Sequence, residues 1–371
     1  MNNKEKSPSM LAHRVASPAL VGCSCCCGSV EHYTIKNSDC QEVVPEMCTE
    51  YTELEEKFSP KHVSSIRLSE SYRRIGYSSR ADRVLNCGTF LEFAHTVGAD
   101  GVINSKGTLH NANFCKDRLC PMCSWRRSYK IFAQVSKIMS RIGSKYKFLM
   151  ITLTVPNCIP ESLSDTLNRL FKAWSNLIRQ KPFKDVVRGF FRALEITYNK
   201  NENTYHPHFH AVLAVPLDYG AWDGLYITHD TWLDMWRKAY GDKSIVSLDI
   251  RVAKGKCKEA KDCVDALSSA VAEIAKYSVK SSDYLVQDND RLTDDIVKCL
   301  SLALHRRRLA HFGGIFAEVA KLLKVDVEDD DLVHLDESIN SSLALMIVRY
   351  GWSSGAYKMI SSCRLTSGDD M

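Results

Sequence analysis

The sequence predicts an α+β fold, an antiparallel sheet core with flanking helices, and three observations lead there. Residues 190–197 and 207–215 are strand-like, and the polar, turn-prone stretch 199–203 between them allows a hairpin. A third strand-like run, 148–155, follows a segment in which Ile131, Val135, Ile138 and Met139 fall at helical spacing. Further helical and strand-like stretches alternate after the hairpin, which suits helices packed on a sheet.

In chain order, residues 1–80 read as a polar, irregular N-terminal extension with one short helix over 46–58. Cys23, Cys25, Cys26 and Cys27 crowd a segment with little periodicity, and adjacent thiols do not define a metal cage, so a flexible tail is expected. A Cys-rich basic unit occupies 81–145 and ends in the helix 125–141. The core spans 146–285. Its helix 160–179 opens with Pro160 and Glu161, residues suited to a first turn. Strands 189–197 and 207–215 follow, then helix 231–239, where Trp232 and Trp236 share a face that packs into the core. Strand 246–252 and a helix over 259–280 complete it. A helical continuation is expected over 286–325, from helices 294–308 and 312–323. Residues 326–371 read as an acidic linker and C-terminal tail, with strand-like pieces at 343–350 and 357–365.

At 371 residues and 45% hydrophobic, the chain can bury a substantial core. A net charge of only +5 means that any nucleic-acid contact must come from local patches. One such region, from Arg126 and Arg127 through Lys130 to Lys147, precedes the first core strand, whereas 326–337 is strongly acidic. No run of 18 apolar residues suggests a membrane span, and no export signal is convincing. Fifteen cysteines in such a chain fit reduced thiols in a cytoplasmic protein, some of them on zinc. There is no Gly-x-x-x-x-Gly-Lys-Ser/Thr loop, so unwinding would fall to another protein.

Two constellations carry chemistry. His208 and His210 are two apart, so on a strand both side chains leave one face, and hairpin pairing could bring Glu195 beside them. Such an O/N ligand set suits Mg²⁺ or Mn²⁺ with positions left open for a phosphate. The helix near 272–280 sets Glu273 and Tyr277 four apart on one face, with Lys276 and Lys280 close by. A phenol with a pKa near ~10 attacks poorly unless an ion polarises the phosphate. Glu273 would then orient a second nucleophile. The other constellation is Cys115, Cys120 and Cys123, with knuckle spacing for zinc. Cys87, His95 or His110 could be the fourth ligand; Cys87 is preferred, since four thiolates make a closed structural site. Arg126, Arg127 and Lys130 on the following helix are candidate DNA contacts.

These residues carry a resemblance. Residues 148–154, the run His206-Pro207-His208-Phe209-His210, and Glu273 with Tyr277 and Lys280 resemble three motifs of rolling-circle plasmid replication initiators with one catalytic tyrosine. The likeness extends through 115–127, 232–236, and 306–308 with Gly313-Gly314, covering roughly 85–325. It implies a His-hydrophobic-His (HUH) endonuclease core with a ferredoxin-like palm. His208, His210 and Glu195 would hold the ion, Tyr277 would nick the origin, and Glu273 would help end the cycle. Lys276 and Lys280 join the expected DNA contacts; His206 inherits no role. The implied partners are plasmid origin DNA and the host helicase and polymerase, with oligomers allowed and no membrane. Rival readings are a transposase or relaxase using the same logic, and a noncatalytic zinc DNA-binding regulator.

Overall fold

A computed structural model describes residues 54–98, 101–104, 106–220, 226–253, 271, 275, 279–327, 331–335 and 345–365. In chain order its elements are α1 (Ser59–Arg74), α2 (Ser78–Leu85), β1 (Phe90–Thr96), β2 (Thr108–Ala112), α3 (Pro121–Ile142) and β3 (Tyr146–Thr154). Then come α4 (Leu163–Leu177), α5 (Lys181–Val186), β4 (Gly189–Asn199), β5 (Thr204–Pro216), α6 (His229–Tyr240) and β6 (Asp249–Val252). The last are α7 (Ser281–Tyr284), α8 (Asp290–Ala303), β7 (Ala310–Gly314), α9 (Ile315–Leu322), β8 (Leu345–Ser353) and β9 (Ala356–Leu365).

The core is a five-stranded sheet in the order β6-β3-β5-β4-β7, and every neighbouring pair is antiparallel. The β4–β5 turn forms as the polar stretch suggests. Asn199 Oδ1 accepts from the Asn201 amide at 3.0 Å, and Asn203 takes a positive φ of 50°, which asparagine tolerates. Because side chains alternate along each strand, the two faces have separate cores. Phe148, Met150, Phe191, Val212 and Phe312 pack against Val135, Ile138 and Met139 of α3 and Phe316 of α9. On the opposite face, Trp174 of α4 meets Phe190 and Phe209 edge-on, at centroid distances of 4.9 and 5.9 Å. Trp232 and Trp236 are buried as expected, and the Trp236 indole donates to the Thr154 carbonyl.

Three segments differ from the sequence reading. Residues 59–80 are not irregular: α1 and the start of α2 occupy them, and Leu68 and Tyr72 are fully buried. The helical continuation contains a strand, β7, which pairs with β4 over Gly189↔Gly314 to Ala193↔Ala310. Helix begins only at Ile315, not at 312. Glycine is required there, since a Cβ on Gly313 would collide with the Phe190 ring and Gly314 has a φ of 56°. Finally, the expected tail is built into a second sheet, β2-β1-β8-β9, in which β8 pairs with β1. Glu92 and Arg349 sit opposite one another in that register and form an ion pair. These pairings link residues far apart in sequence, which local patterning does not reveal. Among the described residues, no helix is long and apolar enough to cross a membrane.

Candidate metal centres

The register of the central sheet assembles the first centre. Glu195 on β4 lies directly across from His208 on β5, and His208 faces Thr154 on β3. One step along, His210 lies between Ala193 and Thr152. All these residues share the face covered further along by α3 and α9, where Val212 and Phe191 take over. The sheet face thus changes from polar ligands to apolar core within two residues.

His210 Nε2 is 2.8 Å from Glu195 Oε2 and 3.1 Å from His208 Nε2, and His208 Nε2 is 3.5 Å from the same carboxylate oxygen. Three ligands on one face of an octahedron with ~2.1 Å bonds stand ~3.0 Å apart, so these atoms fit an ion of the Mg²⁺ class. All three side chains are buried, with the ligand atoms directed at one another. The remote ring nitrogens are also held. His208 Nδ1 donates to the His206 carbonyl at 3.1 Å, leaving Nε2 as the lone-pair nitrogen, and His210 Nδ1 meets Thr152 Oγ1 at 3.1 Å. Burial pushes the Glu195 carboxyl up, but the His208 and His210 imidazoles outweigh it and hold the carboxyl well below the usual range. His206 is turned elsewhere, with Nδ1 2.8 Å from Asn157 Oδ1.

Sequence reasoning grouped Glu195, His208 and His210, which the structure does bring together, but gave no role to Thr152, whose place beside His210 depends on strand register. It also passed over Asp283 on α7. Burial pushes that carboxyl up, and the charge of nearby Glu195 adds to the effect, while Lys280 and Lys200 oppose it. Tyr277, Glu273 and Lys276 lie outside the described residues, as do Cys23, Cys25, Cys26 and Cys27. Their described neighbours are informative. Val271 is buried in the apolar cluster on the ligand-bearing face, and the Ala275 amide donates to the Val271 carbonyl at 2.9 Å. Lys280 is exposed.

The second centre gathers Cys87, Cys115, Cys120 and Cys123, with all four sulfurs within 4.8 Å of one another. The pairs Cys87–Cys120 and Cys87–Cys123 are 3.5 Å apart and Cys115–Cys123 is 3.6 Å apart. A tetrahedron with ~2.3 Å Zn–S bonds has edges of ~3.8 Å, so the cluster needs little adjustment to hold zinc. Amides of Cys115, Lys116 and Asp117 donate to these sulfurs at 3.2–3.4 Å, which favours thiolates. Burial pushes the Cys120 thiol up, but hydrogen bonds from Cys115, Cys123, Cys87 and Ser65 hold it well below the ordinary value. Of the three candidates considered, Cys87 completes the set, because its sulfur is the one that joins those of Cys115, Cys120 and Cys123.

The basic residues of α3 read as candidate DNA contacts are engaged within the protein. Arg126 and Lys130 are only 7% and 4% exposed. Arg126 donates to the carbonyls of Leu332 and Val333, and Lys130 donates to that of Asp331. Arg127 donates to the Lys116 and Asp117 carbonyls, bracing the cysteine loop. The segment after α9 therefore takes up the donors that the sequence reading assigned to DNA. Arg307 likewise ties the end of α8 to Ser164 and Asn168 of α4.

A family model described as "Replication protein" matches residues 106–358. A "Protein rep" of Bacillus amyloliquefaciens is 37% identical over 281 residues, covering 71% of this chain and 80% of the relative. Another, of a Bacillus species, is 36% identical over 271 residues, or 70% of this chain and 86% of that protein. A third, of Streptococcus pneumoniae serotype 2, is 34% identical across 74% of this chain and 82% of its own. No solved structure matches. The chain belongs to the Rep family of replication proteins, the initiator family that its histidine and tyrosine motifs resemble.

Proposed function

We propose that this chain is a plasmid rolling-circle replication initiator that nicks one strand of the origin through Tyr277, at a divalent ion held by Glu195, His208 and His210. The observation that carries the reading is the convergence of one carboxylate and two imidazoles, with His208 Nδ1 tied to the His206 carbonyl and His210 Nδ1 to Thr152 Oγ1, at the spacing a six-coordinate ion would need. Bound there, Mg²⁺ or Mn²⁺ would polarise the scissile phosphate and screen its charge. Family membership favours replication over transposition or mobilisation by the same chemistry. The burial of Val271 on the ligand-bearing face brings the chain there shortly before Tyr277.

In the proposed reaction the Tyr277 oxygen forms a bond to phosphorus as the bond to the 3′ oxygen breaks. The phenolic proton is lost, and the leaving oxygen gains one to become a 3′-hydroxyl primer. The strand's 5′ end stays on the tyrosine as a phosphodiester, which conserves the energy for rejoining without a nucleotide cofactor. Glu273 orients water or the returning strand end to resolve the cycle. Glu195, buried and ionised, keeps both imidazoles oriented and adds negative charge to the ligand set. The cysteine cluster would hold zinc as a structural centre. The partners are single-stranded or extruded origin DNA and a host helicase and polymerase, in the cytoplasm.

The test incubates the full chain with Mn²⁺ and an end-labelled origin oligonucleotide, then maps the DNA-linked peptide by mass. The expected adduct is on Tyr277, and Tyr277→Phe abolishes it. An undiminished adduct in that variant overturns the assignment.

A further inference from the structure

The chain that leaves Tyr277 is fastened to the cysteine unit. Val279 is buried and only two residues on, which keeps its Cα within ~7 Å of that of Tyr277 whatever the path between them. The single turn of α7 follows, with the Asp283 and Leu285 amides donating to the Lys280 and Ser281 carbonyls at 2.9 Å. Tyr284, only 1% exposed, donates its hydroxyl to the carbonyl of Leu119. Leu119 immediately precedes Cys120, and its own amide donates to Asp117 Oδ1 at 2.9 Å. Asp117 is held in turn by Tyr72 and Arg80. A second link runs through α1. Its His62 ring meets the Cys87 carbonyl at 2.8 Å and its Ser65 hydroxyl meets the Cys120 sulfur at 3.4 Å. Arg67 of the same helix donates to the Val286 carbonyl at 3.1 Å.

α7 also packs against β4, the strand that carries Glu195. Upstream, Val271 is buried in the apolar cluster on the ligand-bearing face. Tyr277 is therefore bracketed, by the sheet core six residues before it and by the cysteine unit seven residues after it. We propose that Tyr284 is a positioning residue for the nick: through the Leu119 carbonyl, the cysteine unit sets where the Tyr277 segment sits relative to the Glu195–His208–His210 centre. The inference rests on the tyrosine reading above and extends it, since the four sulfurs then serve the reaction as well as their own unit. Displacing an attacking atom by ~1 Å can cost ~100-fold in rate, and an anchor this close in sequence leaves little slack to absorb such a shift.

The experiment compares the wild type with Tyr284→Phe, which removes only the hydroxyl, and with Cys120→Ser, which breaks the cysteine centre itself. Hydrogen exchange is read at the Asp283 and Leu285 amides. Mn²⁺ and oligonucleotide affinities are titrated, and adduct formation is timed in single turnover at saturating origin oligonucleotide. In Tyr284→Phe the zinc content, Mn²⁺ affinity and oligonucleotide affinity should match the wild type. Exchange at 283–285 should rise roughly tenfold, and the adduct rate should fall roughly 100-fold. Cys120→Ser should keep its Mn²⁺ affinity and show both changes, and adding Tyr284→Phe to it should bring no further loss, because the two act through one link. Arg67→Met, at an exposed position where folding is not at stake, should loosen Leu285 and slow the adduct by a smaller factor. Wild-type adduct rates in both Tyr284→Phe and Arg67→Met, or a slowing that comes entirely from weaker oligonucleotide binding, would overturn the positioning role. No adduct on Tyr277 in the wild type would instead sink the tyrosine reading, and the positioning role with it.

Discussion

The two candidate metal centres are built by opposite strategies. The Cys87–Cys115–Cys120–Cys123 cluster draws its ligands from two loops and the start of α3, and its four sulfurs close a tetrahedron. The Glu195–His208–His210 centre draws its ligands from two adjacent strands of a sheet and supplies half an octahedron. A closed thiolate cage would pin together chain segments that are apart in sequence, whereas an open half-shell would leave room for a phosphate oxygen. The difference is also one of support. Backbone amides hold the sulfurs, while strand register, Thr152 and the His206 carbonyl hold the imidazoles. One arrangement suits a structural ion and the other an ion that must also bind a substrate.

The largest expected effect is at the closed site. Structural zinc contributes on the order of 10 kcal/mol to small units of this kind, so Cys120→Ser should lose zinc and melt the 87–123 unit well before the sheet. Metal analysis with hydrogen exchange on α3 would read this; normal protection in the zinc-free variant would break the contrast. Next, His210→Ala should reduce Mn²⁺ affinity by more than ~100-fold in a titration while zinc content stays constant. Thr152→Ala should be milder, roughly a tenfold loss of Mn²⁺ affinity with the fold unchanged, because it frees the ring that Thr152 orients. An effect as large as that of His210→Ala would mean that Thr152 does more than orient.

The smallest effect concerns pH. Glu195 is held below its unfolded pKa, so its ionised form contributes stability that is fully present above the ordinary carboxylate range. That contribution is lost as pH falls below ~4.3 toward the depressed folded value. Glu195→Gln removes this dependence, so its stability should fall less steeply with acid than the wild type's. Parallel acid-unfolding curves would show that Glu195 is not held by the imidazoles.

What the sequence revealed follows the same division. The ligand pair was legible because a spacing of two on a strand guarantees a shared face, and the polar 199–203 stretch announced the hairpin that delivers Glu195. Cysteine spacing marked the other centre, with Cys87 chosen on chemistry. Thr152 was invisible as a supporting residue, because its pairing with His210 spans 58 positions. The engagement of Arg126 and Lys130 was hidden for a related reason. Charge shows on the sequence, but the carbonyls at 331–333 that take up their donors do not. β7, β8 and β9 complete sheets begun far upstream, so local patterning indicated strand at best and never its partner.

The most direct test measures covalent adduct on an origin oligonucleotide as a function of added Mn²⁺, in the wild type and in His210→Ala, with zinc content followed in both. The account predicts saturable adduct in the wild type and none in the variant at any Mn²⁺ concentration, with zinc retained. Equal adduct in the variant would show that the strand is cut without the sheet-face centre.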